Sequence, residues 1–334
     1  MAKLPQLTAQ DITGITVFPP TPVIPGRNTW QNREAVDYDE AARTADYLID
    51  QGAALLAYCG TYGEVSGMTI EERKKMHAAV VETVKGRVPV FAGATRTNTR
   101  DAIELAQFYR DIGAEGLLLG LPIIPKMSPA AIIGYYKDVI EAVPEMNIMI
   151  YDDPDQFKGP IPTSVYAELA KLPQVVASKY RDRSELSSLK TNTLIHDLRA
   201  VNGGIKLLPF EGDYYYHARM FDVPERDAFW SCGLCCAPAV VTTLRDAVDR
   251  EDWATALEAS DDIGHAYSLL FPKGQPEDFP FVKIPSLKGM VDEAGLVKAG
   301  PCLPPYHVLP EGFDVLGTAQ EVGRRWRALQ QKWG

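Results

Sequence analysis

The 334-residue chain is 46% hydrophobic and 23% charged, a balance that supports a sizeable buried core and excludes disordered or collagen-like chains. Its formal net charge is −10, and Lys and Arg are scattered rather than gathered into a stripe, so no nucleic acid is expected as a partner. The longest apolar runs, such as Gly116 to Ile124, fall short of the roughly 18 residues needed to span a bilayer, and no basic-then-apolar leader opens the chain, so no membrane partner and a cytoplasmic location are expected.

In chain order, short β-branched or apolar runs predict strands at Gly14 to Phe18, Ala54 to Tyr58, Val88 to Ala92, Gly116 to Leu119, Asn147 to Tyr151, Val175 to Ser178, Ile205 to Pro209 and Ala228 to Ser231. Each is followed by a longer stretch of helical periodicity. Runs this apolar, alternating with helices, describe a parallel sheet buried on both faces. Helix starts carry capping chemistry: Thr69 to Glu72 reads as a capping box, and Ser128-Pro129 sets a cap residue before a first-turn proline. Helix exits share Asp-x-Gly-Ala, at Asp50 to Ala53 and Asp111 to Ala114, with the glycine placed for a left-handed helix end. These exits lie about 60 residues apart with one complete strand and helix between them, so a βα unit takes about 30 residues and eight take roughly 240.

That arithmetic predicts a (β/α)8 TIM barrel over residues 1–250. A doubly wound open sheet would need a glycine-rich phosphate loop after its first strand, whereas here Phe18-Pro-Pro-Thr-Pro22 follows, which is poor in backbone N–H donors. Beyond position 250 only helices are expected, at Asp252 to Leu270, Pro285 to Val297 and Thr318 to Trp333, forming a C-terminal helical extension over 251–334.

Reactive groups of a barrel project from the C-terminal ends of its strands. Lys179 follows the apolar strand Val175 to Ser178, where burial disfavours the ammonium form and leaves an amine able to attack a carbonyl; its alternative is a lysine snorkelling to the rim or pairing with a carboxylate such as Asp153. Tyr151 ends the neighbouring strand and can move protons, with Thr61 to orient its hydroxyl. Gly60 and Gly63 let backbone N–H groups approach an anion such as a 2-oxo acid carboxylate. The five cysteines, Cys59, Cys232, Cys235, Cys236 and Cys302, form an odd set without a second ligand cluster, and the histidines stand singly, so reduced buried thiols and no metal are expected.

Taken together, Gly60-Thr61-Tyr62-Gly63-Glu64, Tyr151-Asp152-Asp153-Pro154 and Lys179 resemble the dihydrodipicolinate synthase and N-acetylneuraminate lyase family of class I, Schiff-base aldolases. The resemblance implies Lys179 as the carbonyl-capturing amine, Tyr151 as proton shuttle, and Thr61 with the Tyr62 backbone as carboxylate cradle, with Glu64 structural. It implies no cofactor, a 2-oxo acid substrate with pyruvate, and a homotetramer. Two departures count against a lysine-biosynthetic synthase: Pro122-Ile123-Ile124 replaces the synthases' PYY stretch, and Asp155, Gln156 and Phe157 stand where they place an arginine. Tyr151 to Lys158, Phe229 to Ser231, Leu270 to Gly274 and Lys298 to Tyr306 resemble instead the hydratase-aldolases that cleave benzylidenepyruvates in polycyclic aromatic degradation. That subgroup usually carries Asn where Asp153 stands, which leaves open whether Asp153 hydrogen-bonds the attacking water in the same way. Trp230 is expected to stack on an aryl ring or to pack beneath the loops, and Arg181 and Arg183 to meet an ortho carboxylate on that ring. A sugar-acid lyase or dehydratase of the same family would want polar groups where Ile123, Ile124, Phe157 and Trp230 sit; a non-catalytic pyruvate sensor would not need the amine.

Overall fold

The computed structural model describes residues 4–122, 126–154, 156–180, 187–200, 204–270 and 279–334. Among them the strands are β1 (Gly14–Val17), β2 (Ala53–Ala57), β3 (Val90–Gly93), β4 (Gly116–Leu119), β5 (Asn147–Asp152), β6 (Val175–Tyr180), β7 (Lys206–Leu208) and β8 (Ala228–Ser231). The helices are α1 (Tyr38–Asp50), α2 (Ile70–Val84), α3 (Thr99–Ile112), α4 (Pro129–Ala142), α5 (Thr163–Leu169), α6 (Ser187–Ala200), α7 (Glu211–Met220) and α8 (Pro238–Asp249), then α9 (Trp253–Tyr267), α10 (Phe279–Ala294) and α11 (Val315–Trp333).

The strands form one eight-stranded sheet in the order β7-β6-β5-β4-β3-β2-β1-β8, and every pairing is parallel. Its two ends meet through a bridge between Phe210 and Trp230, where the Trp230 backbone N–H donates to the Pro209 carbonyl at 2.9 Å. The (β/α)8 barrel read from strand spacing is therefore the fold observed. Its core is almost wholly apolar: β3 and β4 are buried along their full length, as sterically dense, doubly covered parallel strands require.

The local signals act as their chemistry dictates. Thr69 and Glu72 make the reciprocal capping box of α2; the Ser128 side chain accepts from the Ala131 N–H with Pro129 in the first turn of α4; Gly52 and Gly113 sit at φ +94° and +92°. Two expectations are corrected. β6 does not stop at Ser178 but runs through Tyr180, because Lys179 and Tyr180 continue the pairing with Tyr151 and Asp152. Nor does a helix begin at Pro285: α10 starts by Phe279 and carries that proline inside it, so the proline leaves one backbone carbonyl without its helical donor rather than opening the helix.

Helix α10 packs along α11, and a buried carboxylate ties α9, the first of the C-terminal helices, to the barrel. The Glu211 carboxylate, fully buried at the start of α7, accepts from the backbone N–H of Cys232 (3.1 Å) and Gly233 (2.8 Å) and from the Tyr267 hydroxyl of α9 (2.6 Å). One carboxylate thus joins the β8 exit to the first of the C-terminal helices. No helix among the described residues is long and apolar enough to cross a membrane.

Candidate active site

Strand pairing sets the centre of the site. Tyr151 and Lys179 are register partners on β5 and β6, and the two-residue alternation of a strand sends Tyr151 and Asp153 to one side and Asp152 to the other. Asp152 accordingly points outward, accepting from the Tyr166 hydroxyl of α5 at 2.9 Å and the Ile161 N–H at 3.3 Å. Lys179 is 7% exposed, and its Nζ lies 4.0 Å from the ring centroid of Trp230, 4.7 Å from that of Tyr151 and 5.1 Å from that of Phe18. Aromatic faces attract an ammonium while burial penalises it, so this cage fixes where the nitrogen sits and keeps bulk water off it.

The loop after β2 reaches over to Tyr151. Cys59 and Glu64 adopt left-handed backbone (φ 58° and 50°), and a Cβ on Gly63 would come within 3.1 Å of both the Cys59 Cα and the Gly60 nitrogen, so the turn closes tightly only with glycine there. Thr61 donates its backbone N–H to the Tyr151 oxygen at 3.0 Å, and the two hydroxyls hydrogen-bond each other. The Tyr62 hydroxyl donates to the Phe18 carbonyl. Burial, then the nearby Asp153 carboxylate, push the Tyr151 phenol well above the ordinary tyrosine range, partly offset by the Thr61 bonds; the group is a neutral phenol at physiological pH.

Glu64 is wholly buried and meets the Lys288 ammonium and the Leu303 N–H (2.6 Å), a structural role. Lys288 also donates to the carbonyls of Thr21 (3.0 Å) and Pro301 (2.9 Å). The loop after β2 is therefore braced from α10.

Above Lys179 lies a cavity of about 220 Å³, with Gly60, Thr61, Tyr62, Tyr151 and Lys179 at its floor and Phe18, Phe210, Trp230, Leu270, Phe279 and Leu287 among its walls. Trp230 lines the cavity wall. It is 4% exposed, set against Phe210 at 4.5 Å between centroids, and its indole N–H donates to the Tyr180 carbonyl at 3.4 Å. Phe157 lies behind the site, edge-on to Tyr151 at 5.1 Å. Arg181, Arg183, Ile123, Ile124 and Asp155 lie outside the described residues. Cys232 lines the cavity, and burial pushes its thiol up to about 12.

Sequence reasoning missed Lys283 of α10. It lines the cavity and donates to Asp153 Oδ2 at 3.0 Å, with both side chains buried. The available signal was a lysine four residues from Phe279 and four from Leu287, on a stripe otherwise apolar; placing the helix start at Pro285 hid it. Asp213 also lines the cavity unforeseen.

A lysine caged at the end of β6, a phenol paired to a threonine hydroxyl, and a glycine turn beside them match a family pattern. Residues 23–203 fit the model of the dihydrodipicolinate synthetase family. The chain belongs to that family. Within the dihydrodipicolinate synthetase family it is 42% identical to the trans-O-hydroxybenzylidenepyruvate hydratase-aldolase of Pseudomonas aeruginosa, over 99% of this chain and 97% of that one. It is 36% identical to the trans-2'-carboxybenzalpyruvate hydratase-aldolase of Nocardioides sp. (strain KP7), over 98% and 97%. A solved structure described as PhdJ bound to substrate intermediate superposes with a TM-score of 0.92 at 40% identity, covering 98% of this chain and 99% of the other. The dihydrodipicolinate synthase of Bacillus clausii shares the fold, with a TM-score of 0.78 at 21% identity over 96% and 98%.

Proposed function

We propose that the chain is a class I hydratase-aldolase that cleaves an ortho-substituted trans-benzylidenepyruvate, 2'-carboxy- or 2'-hydroxy-substituted, to an aryl aldehyde and pyruvate in polycyclic aromatic degradation. The observation that carries this reading is the Lys179 nitrogen held among Trp230, Tyr151 and Phe18 under an apolar-walled cavity. Near-complete coverage by two curated hydratase-aldolases supports the substrate class.

Lys179 condenses with the 2-keto carbon, expelling water, and the iminium draws electrons from the conjugated C3–C4 double bond. Water adds at C4 and C3 takes up a proton, restoring the iminium. Tyr151 then accepts the C4 hydroxyl proton as its own passes to Thr61, whose hydroxyl proton moves on to the bound substrate carboxylate, and the same path run in reverse later protonates the enamine; a phenol this far raised acts as a relay rather than a standing base. The C3–C4 bond breaks, its electron pair entering the iminium to give the enamine of pyruvate, and aryl aldehyde leaves. Protonation and hydrolysis release pyruvate and free Lys179. The substrate carboxylate lies over Gly60, Thr61 and Tyr62, where the Tyr62 N–H has no acceptor among the described residues. A polyhydroxylated sugar acid would leave its hydroxyls facing Phe18, Phe210, Trp230, Phe279 and Leu287, a desolvation cost that disfavours the lyase alternative.

Residues 1–250 serve as the catalytic barrel and 251–334 as a helical extension that supplies part of the cavity, in a cytoplasmic homotetramer; light scattering on the eluted protein checks the assembly. The function is tested by incubating the protein with pyruvate and borohydride, mapping the modified peptide, and following benzylidenepyruvate loss by ultraviolet absorbance. Reduction onto Lys179 with turnover is expected. Trapping without aryl turnover would favour the sugar-acid reading, and no trapping would leave a binding protein.

A further inference from the structure

We propose that Lys283 is the specificity-determining residue of the distal subsite, donating hydrogen bonds to an oxygen substituent on the substrate's aryl ring while Asp153 anchors it from behind. This rests on the arylidene-pyruvate reading above.

Helix α10 lays Phe279, Lys283 and Leu287 over the cavity, one residue from each of three successive turns. Spacing of four keeps them on one face. Two are apolar, as a roof over an aromatic ring requires, and the middle one is an ammonium whose side chain is 9% exposed. An ammonium has three N–H donors. Among the described residues the only acceptor Lys283 meets is Asp153 Oδ2 at 3.0 Å. Burying such a group with donors unmet is unfavourable, and a hydrophobic residue of similar volume would make a more stable roof. The arrangement is explained if the remaining donors meet something that enters the cavity.

Position decides what that is. The 2-oxo acid end of the substrate is fixed at the floor by Lys179 and the Gly60–Tyr62 turn, so the roof formed by α10 faces the other end, the ring. Asp153, though it follows Tyr151 closely in sequence, is not among the residues lining the cavity, whereas Lys283, which donates to it at 3.0 Å, is. The carboxylate fixes the ammonium's direction, and the ammonium presents its remaining protons to the ring. The chemistry recognised is an oxygen acceptor ortho to the side chain, a carboxylate or a hydroxyl.

The test compares unsubstituted, 2'-hydroxy- and 2'-carboxybenzylidenepyruvate as substrates for the wild-type protein, K283M and D153N/K283M, the double variant avoiding a carboxylate left buried without its cation. The quantity read is the ratio of kcat/KM for each oxygenated substrate to that for the unsubstituted one. In both variants this ratio is expected to fall roughly 10- to 100-fold, carried mainly by KM, as for the loss of one charge-assisted hydrogen bond. A larger fall for the carboxylate identifies an anion as the group bound; equal falls identify a neutral acceptor. Unchanged ratios with all three substrates slowed alike overturn the proposal and leave Lys283 a structural ion-pair partner. If the wild-type protein turns over none of the three, the functional reading fails as well, and borohydride trapping of pyruvate on Lys179 tells that failure apart from an inactive preparation.

Discussion

Lys288 of α10 and Glu64 of the loop after β2 form an ion pair whose side chains are 1% and 0% exposed. The pair joins residues 224 apart in the chain, and it fixes the turn that carries Thr61. Removing one partner leaves a charge buried without its counterion. K288M is therefore expected to lower unfolding free energy by about 3–5 kcal/mol, with E64Q/K288M recovering part of the loss. Urea unfolding monitored by tryptophan fluorescence checks this, and an unchanged midpoint in K288M would show that the pair contributes nothing.

Tyr151 and Thr61 act as one proton path in the proposed mechanism. Y151F should lower kcat by roughly 100-fold or more while pyruvate remains trappable on Lys179, and T61V should give a smaller loss of the same kind. Because burial and Asp153 raise the Tyr151 phenol, no rise in kcat should accompany alkaline titration near pH 10, where an exposed tyrosine ionises. A gain there would mean that phenolate is the working base.

The cysteines offer a pH-dependent measurement. All five are buried and unpaired, and burial raises each thiol, Cys59 to about 11 and both Cys232 and Cys302 to about 12. In the unfolded chain the same thiols ionise near 8.5. A folded value above the unfolded one contributes stability that is full below the unfolded value and lost as pH rises toward the folded value. The urea midpoint should therefore fall between about pH 8.5 and 11, and replacing Cys59 by Ser should blunt that fall. At pH 8 a thiol-disulfide reagent should label none of the five in the native protein and all of them in denaturant; fast native labelling of any one sinks the burial argument for it.

At the end of β3, a Cβ on Gly93 would fall 2.5 Å from the Cys59 Cβ and 2.7 Å from the Tyr58 carbonyl oxygen. G93A must push β2 and its exit loop outward, with a cost of about 1–3 kcal/mol for overpacking. Since Cys59 leads directly into the Gly60–Gly63 turn, the KM of the arylidene substrate should rise too. A variant with wild-type stability and KM would show that the strands yield without moving the loop.

How much of this was legible in the chain depends on range. The eight strands announced themselves because a doubly buried parallel strand has no polar face to blur its apolar run, and Gly116–Leu119 and Ala228–Ser231 are read without error. Capping at Thr69 and Ser128 was equally local. Lys179 and Tyr151 were found because each lies one residue from the C-terminal end of a strand. Their cage was not, since Phe18 and Trp230 meet the amine only when β8, paired to β1, closes the barrel against β7. Lys283 was missed for a related reason: a proline at 285 read as a helix start, whereas packing on α11 carries α10 through it. Its partner Asp153 lies 130 residues away, and no spacing rule links them.

The two lysines of α10 give the order of synthesis a meaning. A ribosome completes all eight strands before it reaches Phe279, so a nascent chain can hold Lys179 and Tyr151 in register while the loop at Glu64 still lacks its brace and the cavity its roof. Competence arrives late, when residues past Lys288 have emerged and α10 has docked, and a pulse-labelled ribosome-bound series would see pyruvate capture switch on there rather than at the last strand.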